Sequence, residues 1–494
     1  MIHFFNWKGQ NCPKSIFLSF FLLAFIGLNF FTSCKNPAEP KDNPGNNGDA
    51  VVLFIFNANG GIFDDGGDLY IGQVINNRIT PPAITHHFPV FTFKGWYTRA
   101  QGGELFNFNG PLTTSRTLYA QWEMVYFSGT SAVYDYLDGY QGGNMPGDPI
   151  MLPVNINLGD MTQGSNVWKA LLEEIGRAGK YVNLDLSPCS MNGTVFNPDN
   201  TFSAGKGLVI SLTLPQRAEE VQEGSWDNPP FTHFSSLASF SAEGLVSACD
   251  YFFTGFPNLS ALDLPNLTSI GINAFAACTG LTSINFPSVK TVGNYAFFGC
   301  TGLQSISFPL AEEIGVDAFH GCTGLSSLNF PRVKIIDNGA FSNITRLQNI
   351  NFPLAESIGE GVFWGCTNLR IANFPLAENI GNYAFSGCSE LLEANFPLAK
   401  DIGIEAFIFC NKLGNVYIPL AENIGASAFY GCQNLSLVTL GVTPPALGDG
   451  AFLNTPMTGF TIKRPSASAA AYTQWLDDNS LKFYGGGSEV VFVD

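Results

Sequence analysis

The stretch PLAENIGNYAFSGCSELLEANF, residues 375–396, is one copy of a pattern that fills much of the second half of the chain. Within it, Leu391, Ala394 and Phe396 follow an L-x-x-A-x-F spacing. Because side chains alternate along a strand, Ala394 and Phe396 point to one side, and Leu391 joins them. Pro397 lacks the N–H that a sheet needs, so it ends the strand. The stretch therefore predicts a short strand that stops at a proline.

Three apolar columns repeat this unit every 22 residues. One turn cannot cover its own apolar face, so the turns must stack on one another. A period of this length with an L-x-x-I-x-F core is typical of a β-rich leucine-rich-repeat solenoid, here with an α/β-type repeat. The columns are Phe286, Phe308, Phe330, Phe352, Phe374, Phe396 and Ile418; Phe275, Phe297, Phe319, Phe341, Phe363, Phe385, Phe407 and Phe429; and Leu259, Leu281, Leu303, Leu325, Leu347, Leu369, Leu391, Leu413 and Leu435.

The repeated elements C-x-x-L-x-x-I-x-F-P and A-F-x-x-C run from about Leu237 to Phe452. They resemble the BspA-like surface leucine-rich repeats of anaerobic bacteria and treponemes. The resemblance implies a non-enzymatic adhesion protein on the cell surface. Its implied partners are extracellular-matrix proteins or glycans of host or neighbouring cells. We expect a monomer that needs no cofactor.

The charge balance excludes several classes of protein. Lys and Arg number 23 against 40 Asp and Glu, which gives 23 − 40 = −17. Phosphate binding needs clustered cations, so we expect no nucleic-acid partner. With 46% hydrophobic and only 13% charged residues, the chain is neither disordered nor a charged coiled coil.

The N-terminus predicts export. Lys8 and Lys14 precede an uncharged apolar run over residues 16–31, and small residues lead to Cys34, as in a secretory signal peptide. The residues before Cys34 resemble a bacterial lipobox. This implies a lipidated Cys34 as the mature N-terminus and a lipid anchor in the cell envelope, at the outer membrane and cell surface. The alternative is an uncleaved anchor, because residues 15–34 are long enough to span a bilayer core of ~30 Å.

An aromatic-rich module precedes the repeats. The segments NGG at 59–61, FKGWY at 93–97 and LYAQW at 118–122 resemble the Listeria–Bacteroides repeat of the internalin B-repeat type, which implies a small β-grasp-like spacer. Its aromatic side chains form either a core or a glycan platform, and we favour the core. Farther on, Ser165 can cap a helix whose apolar stripe begins at Val167.

These features divide the chain into segments. A stacked solenoid needs caps at both ends, so the irregular flanks of the repeats are expected to supply them. Strands are predicted near residues 181–186 and 208–214 of the N-terminal flank. The predicted segments are a signal peptide with the lipidated Cys at 1–34, a flexible tether at 35–49, the β module at 50–124, an N-terminal cap region at 125–230, BspA-like repeats at 231–453 and a C-terminal cap at 454–494.

Most cysteines fall in one repeat column. Disulfides are usual in exported proteins, and stacking brings neighbouring turns within reach of one another. Yet the number is odd, and Ile344 and Phe256 hold the same place in other turns, so the position favours apolar volume and free buried thiols. Cys189 and Cys249 lie outside the column and are left open. The column is Cys278, Cys300, Cys322, Cys366, Cys388, Cys410 and Cys432.

Strand positions between the core residues form two outward columns rich in Asn. Asn is disfavoured in strands, so its repetition needs a cause. We favour a ladder of side-chain amides between turns; the alternative is a broad uncharged surface that binds a protein or glycan. For that alternative, the candidate ligand-face residues are Asn349, Asn351, Ile371, Asn373, Glu393, Asn395, Asn415, Tyr417 and Leu437.

No motif predicts chemistry. The five His are scattered, no G-x-S-x-G occurs, and no C-x-x-C pair predicts zinc, so we expect neither a catalytic nor a metal site. A further column from Lys290 to Glu422 reads K-E-K-E-E-K-E and predicts a solvated charge ladder. Two hypotheses compete with adhesion: an envelope spacer without a specific ligand and, less favoured, a glycan-active enzyme.

Overall fold

The computed structural model describes residues 53–493, apart from 65, 75–77, 87–89, 111, 113, 164, 200, 457–459 and 484–490. The predicted signal peptide with Cys34 and the predicted tether lie outside the described residues. The chain divides into two compact units. Of the described residues, one unit comprises those within 53–55, 71–81 and 107–117, and the other comprises those within 56–70, 82–106 and 118–493.

The aromatic-rich module is built from six strands. In the smaller unit, the amide of Leu53 donates to Ser115 Oγ at 3.0 Å. In the larger unit, Trp96 is buried, with its ring stacked on Phe63 and edge-on to Phe56. The prediction that this aromatic belongs to a core is therefore confirmed. The strands are Leu53–Asn57, Gly61–Phe63, Leu69–Gln73, Ile84–His86, Phe91–Tyr97 and Arg116–Met124.

Two helices follow the module, α1 at Val133–Gly139 and α2 at Asn166–Ala178. Ser165 caps α2 as predicted, because its Oγ accepts a hydrogen bond from the Trp168 amide at 3.1 Å. Trp168 is buried, whereas Val167 is 37% exposed. The spacing therefore placed Val167 wrongly on the apolar face. The short strands beside these helices are Asn157–Asp160, Ser190–Asn192, Val195–Phe196 and Glu220–Val221, and 3-10 turns lie at Met161–Gln163 and Lys206–Leu208.

The solenoid carries a first parallel sheet, and each of its strands from Ser239–Ser241 to Leu437–Thr439 follows a buried Leu. Its ladder is interrupted twice and so forms sections of five, three and seven strands. The first section already includes strands within 125–230, so the flanking region shares the sheet of the repeats. The strands are Ile150–Pro153, Val182–Asp185, Val209–Thr213, Ser239–Ser241 and Ala261–Asp263; Ser283–Asn285, Ser305–Ser307 and Ser327–Asn329; and Asn349–Asn351, Ile371–Asn373, Glu393–Asn395, Asn415–Tyr417, Leu437–Thr439, Thr461–Lys463 and Val491–Val493.

A second parallel sheet is continuous over ten two-residue strands, and each strand places one apolar side chain inward. The third side of each repeat consists of reverse turns. Backbone hydrogen bonds tie them to the same side of the next repeat, such as the bond from Phe297 N to Ala318 O at 2.8 Å. Helix α3 (Ala469–Phe483) follows a 3-10 turn at Ser466–Ser468. The second-sheet strands are Ser247–Ala248, Ser269–Ile270, Thr291–Val292, Glu313–Ile314, Ile335–Ile336, Ser357–Ile358, Asn379–Ile380, Asp401–Ile402, Asn423–Ile424 and Ala446–Leu447.

The core is a stack of phenylalanine rings, as the sequence predicts. Phe385 lies between Phe363 and Phe407, with ring centroids 5.3 and 5.1 Å away. In the other Phe column, the ring of Phe330 stands at 79° to that of Phe308, although the centroids remain 5.6 Å apart. The chain is therefore a β-rich leucine-rich-repeat solenoid whose turns share one continuous apolar interior.

Candidate functional site

The nine predicted ligand-face residues lie together on five neighbouring strands of the first sheet. Strand register places them in two rows that run across the sheet. Ile371 and Tyr417 are each 45% exposed, so both side chains are accessible on this face. The rows are Asn349, Ile371, Glu393, Asn415 and Leu437; and Asn351, Asn373, Asn395, Tyr417 and Thr439.

Side-chain amides form a ladder along one of these rows. Asn373 Nδ2 donates to Asn351 Oδ1 at 2.8 Å, and Asn395 Nδ2 donates to Asn373 Oδ1 at 3.2 Å. Each amide still has capacity for another hydrogen bond. The row then passes to Tyr417, which presents a half-exposed ring. The predicted amide ladder is therefore present, and it lies among the candidate ligand-face residues.

The charge column behaves as a solvated ladder. Lys334 pairs with Glu312 at 3.1 Å and Lys400 with Glu378 at 2.7 Å, and about half of each side chain is exposed. The carboxylate of Glu378 raises the pKa of Lys400. Exposed pairs of this kind contribute little to stability.

The cysteine column is free and buried, as predicted, and Cys189 and Cys249 are free as well. Each column thiol donates to the carbonyl of a Phe in the preceding turn, for example Cys388 Sγ to Phe363 O at 3.2 Å. Burial raises the pKa of Cys366 to about 12, so this thiol stays protonated and unreactive at neutral pH. Sequence reasoning assigned the column only to apolar volume and missed this hydrogen bond. The sequence carries no signal of it, because the 25-residue offset between Cys and Phe follows from the 22-residue period and the A-F-x-x-C spacing alone.

Three polar side chains, those of Asp317, His320 and Ser342, meet on the third side of the coil. His320 Nδ1 lies 3.1 Å from Asp317 Oδ1 and 2.6 Å from Ser342 Oγ. In a hydrolase triad, the acid and the nucleophile contact opposite ring nitrogens. Here both contact the same nitrogen, so the arrangement cannot relay a proton from Ser342 through the ring to Asp317. Sequence reasoning missed this cluster, because Ser342 comes from the turn after the one that carries Asp317 and His320.

A groove lies beside the end of the ligand face, where the 22-residue period gains a residue. It encloses about 1130 Å³ and is lined by Tyr417, Leu420, Val442 and Lys463, among others. The C-terminal helix supports its outer loop, because Tyr472 Oη donates to Gly441 O at 3.0 Å and Trp475 Nε1 donates to Pro445 O at 2.6 Å. The Thr443-Pro444-Pro445 break in the sequence was the signal for this loop.

In the described part of the chain, no group of three or more His, Cys, Asp or Glu side chains converges in a way that could hold a metal ion. No described helix has the length and apolarity that crossing a membrane requires.

Comparisons with solved structures show similarity to bacterial leucine-rich-repeat proteins. A leucine-rich repeat protein from Bacteroides ovatus is 23% identical, with 61% of this chain and 88% of that one covered and a TM-score of 0.36. A leucine rich cell surface protein from Faecalibacterium prausnitzii is 21% identical, with 45% and 65% covered and a TM-score of 0.32. The T. pallidum leucine rich repeat protein is 25% identical, with 43% and 86% covered and a TM-score of 0.28. Among curated proteins, none matches the chain.

Comparison with protein families is more decisive. The sequence model described as "BspA type Leucine rich repeat region" matches residues 198–325, 246–370, 312–436 and 400–474. These overlapping matches extend from 198 to 474, which is more than half of the chain, and they contain the stacked turns with their Phe, Leu and Cys columns. The chain therefore belongs to the family of BspA-type leucine-rich-repeat proteins.

Proposed function

We propose that this protein is a lipid-anchored, non-enzymatic adhesion protein that binds an extracellular protein or glycan through its first sheet. BspA-type repeat proteins are typically associated with the cell surface and mediate interactions. The anchor is Cys34, on the strength of the signal-like sequence before it. The nine ligand-face residues form the binding surface.

The observation that carries this proposal is the pair of half-exposed side chains on a rigid sheet. Ile371 and Tyr417 stand on strands that are hydrogen-bonded to both neighbours, so their backbones are already fixed before binding. Large side chains that are ordered in advance lose little entropy on binding. Aromatic residues of this kind dominate the energetics of protein interfaces.

Substitution of these side chains tests the choice of face. We expect Tyr417→Ala and Ile371→Ala to weaken binding about tenfold or more, for hits found with the full chain on an array of matrix proteins and glycans. Ser283→Ala serves as the matched control, because Ser283 holds the same row position in an earlier section of the sheet. If both variants retain every hit at full affinity, the ligand face has been assigned wrongly.

The anchor has a separate test. Mass spectrometry of the native N-terminus is expected to find a diacylglyceryl group on Cys34. An intact Met1 would refute the anchor and leave the binding face unaffected. An absence of any binding partner would instead favour a structural spacer.

A further inference from the structure

The third side of the coil carries an unusual row of aromatic side chains. They lie between each second-sheet strand and the next strand of the first sheet, on the outside of the buried Phe column. Phe409 is 50% exposed and Trp364 is 49% exposed. We call this row the aromatic ridge; its members are Tyr295, Phe298, Trp364, Tyr383, Phe409 and Tyr430.

Three of the rings occupy backbone positions in the left-handed region. Tyr295 and Tyr383 have φ of +57° and Phe409 has φ of +58°. Phe409 stands where both neighbouring turns have glycine, as at Gly431, whereas Glu405 follows in the place of Tyr383 with φ of +53°. A non-glycine residue in this region is strained, so the ring of Phe409 is placed in solvent at a cost in backbone energy, and such strain points to a function.

The ridge is rigid because the backbone beneath it is hydrogen-bonded from turn to turn. Tyr383 N donates to Ile404 O at 2.9 Å, and Phe409 N donates to Tyr430 O at 2.8 Å. The ring of Phe409 lies over Gly431, where an added Cβ would come within 2.8 Å of it, and is edge-on to Tyr430 at 5.6 Å. These rings are therefore held in place before any ligand arrives.

The spacing of the ridge fits a linear ligand. Trp364, Tyr383, Phe409 and Tyr430 belong to four successive turns, so this part of the ridge extends over about 14 Å at ~4.8 Å per turn. One turn corresponds to roughly the length of one pyranose unit in a linear oligosaccharide. Ser386 and Gly387 take the places of Trp364 and Phe409 in the turn between them, so these two rings are separated by a small side chain and a glycine.

The charges beside the ridge define what kind of ligand it accepts. The turns that carry the ridge, residues 287–308 and 353–440, contain eight Asp and Glu against four Lys and Arg, and the chain as a whole carries a charge of −17. A polyanionic ligand is therefore repelled. Flat aromatic faces pack well against the C–H faces of sugar rings, and the two Tyr hydroxyls offer hydrogen bonds to sugar hydroxyls.

We infer that the aromatic ridge is a binding site for a neutral linear oligosaccharide, separate from the first-sheet face. The inference goes beyond the proposed function, since it needs neither the lipid anchor nor the first-sheet rows.

The repeats themselves supply variants that should fold. Trp364→Ser copies Ser386, while Tyr383→Gly and Phe409→Gly copy Gly361 and Gly387. The two glycine variants also remove the left-handed strain, so their thermal stability should equal or exceed that of the wild type. Calorimetric titration of the full chain with hexaoses of β-1,4-glucan, α-1,4-glucan, β-1,4-xylan and β-1,4-mannan tests binding. Oligogalacturonate is the anionic comparison.

We expect at least one neutral hexaose to bind and each single variant to weaken it about tenfold. Ile335→Ala, which removes a 42% exposed side chain from the second sheet and from neither proposed site, should leave this affinity unchanged. The inference is overturned if no neutral hexaose binds, if oligogalacturonate binds more tightly, or if folded variants bind as the wild type does. The inference is also overturned if the variants lose binding to a protein partner and keep their affinity for every sugar.

Discussion

Each cysteine of the column has two structural roles, packing and hydrogen bonding. Each thiol fills a small apolar space and donates to a main-chain carbonyl of the preceding turn, as Cys410 does to Phe385 O at 3.1 Å. At Ile344 the volume is kept while the S–H donor is lost. The sequence predicted the burial, because Ile is tolerated there, but hydrogen bonding by a thiol leaves no mark in an apolar column.

Buried thiols make the protein sensitive to alkali. Burial raises the pKa of Cys278 and Cys322 from 9.0 to about 12, while the same groups in the unfolded chain ionise near 9.0. The unfolded state therefore releases protons first. The stability from these thiols is complete below about pH 9 and is lost as the pH rises toward 12. Each thiol contributes a slope of ~1.4 kcal/mol per pH unit in that window.

We therefore expect the free energy of unfolding to fall steeply between pH 9 and 11 in urea titrations. Lys206 acts in the opposite direction, because burial lowers its pKa to about 8, but it is one group against seven column thiols. Cys388→Ala should reduce the slope of the unfolding free energy against pH by the contribution of one thiol. Constant stability up to pH 11 would contradict the burial of this column.

At the scale of one turn, the sequence predicts the inward side of the coil far better than the outward side. Inward residues are fixed by stacking, and so Phe385 could be placed in the core from its period alone. Helix α2 could be predicted from its Ser165 cap and apolar stripe, whereas seven-residue α1 has neither a side-chain cap nor a full stripe. Outward positions such as Phe409 vary between turns, and only the backbone angles of the structure reveal the strain at such a position.

The ring stack offers a test at this scale. Phe385→Ala leaves a cavity between Phe363 and Phe407, and we expect it to destabilise the protein by about 3–5 kcal/mol. Phe298→Ala is the matched control, because that ring lies on the third side and is 40% exposed. Chemical denaturation followed by circular dichroism measures both. Equal losses would mean that the buried column does not dominate stability.

Across the whole molecule, the two sheets differ in continuity. The second sheet runs unbroken over ten strands, while the first is interrupted between Asp263 and Ser283 and between Asn329 and Asn349. Gln304 N donates to Thr282 O at 2.8 Å and Arg370 N to Gln348 O at 2.7 Å. Within the described repeats, the equivalent bonds from Thr282 to Ser260 and from Gln348 to Ser326 are missing.

Hydrogen exchange should detect these interruptions. Amides that lack a backbone partner exchange faster, so Thr282 and Gln348 should lose protection before Gln304 and Arg370. The second-sheet amides of the same turns provide an internal reference. Uniform protection along the first sheet would show that its ladder is closed in solution.

The ladder on the third side has a consequence for how such a protein can change in length. Its bonds join main-chain atoms, so a duplicated unit of 22 residues would dock onto its neighbours whatever its outward side chains were. Each copy gained or lost would move the two ends apart or together by one strand spacing, ~4.8 Å. Gene duplication therefore sets the length of the solenoid, while point mutation in the outward columns sets what each repeat recognises.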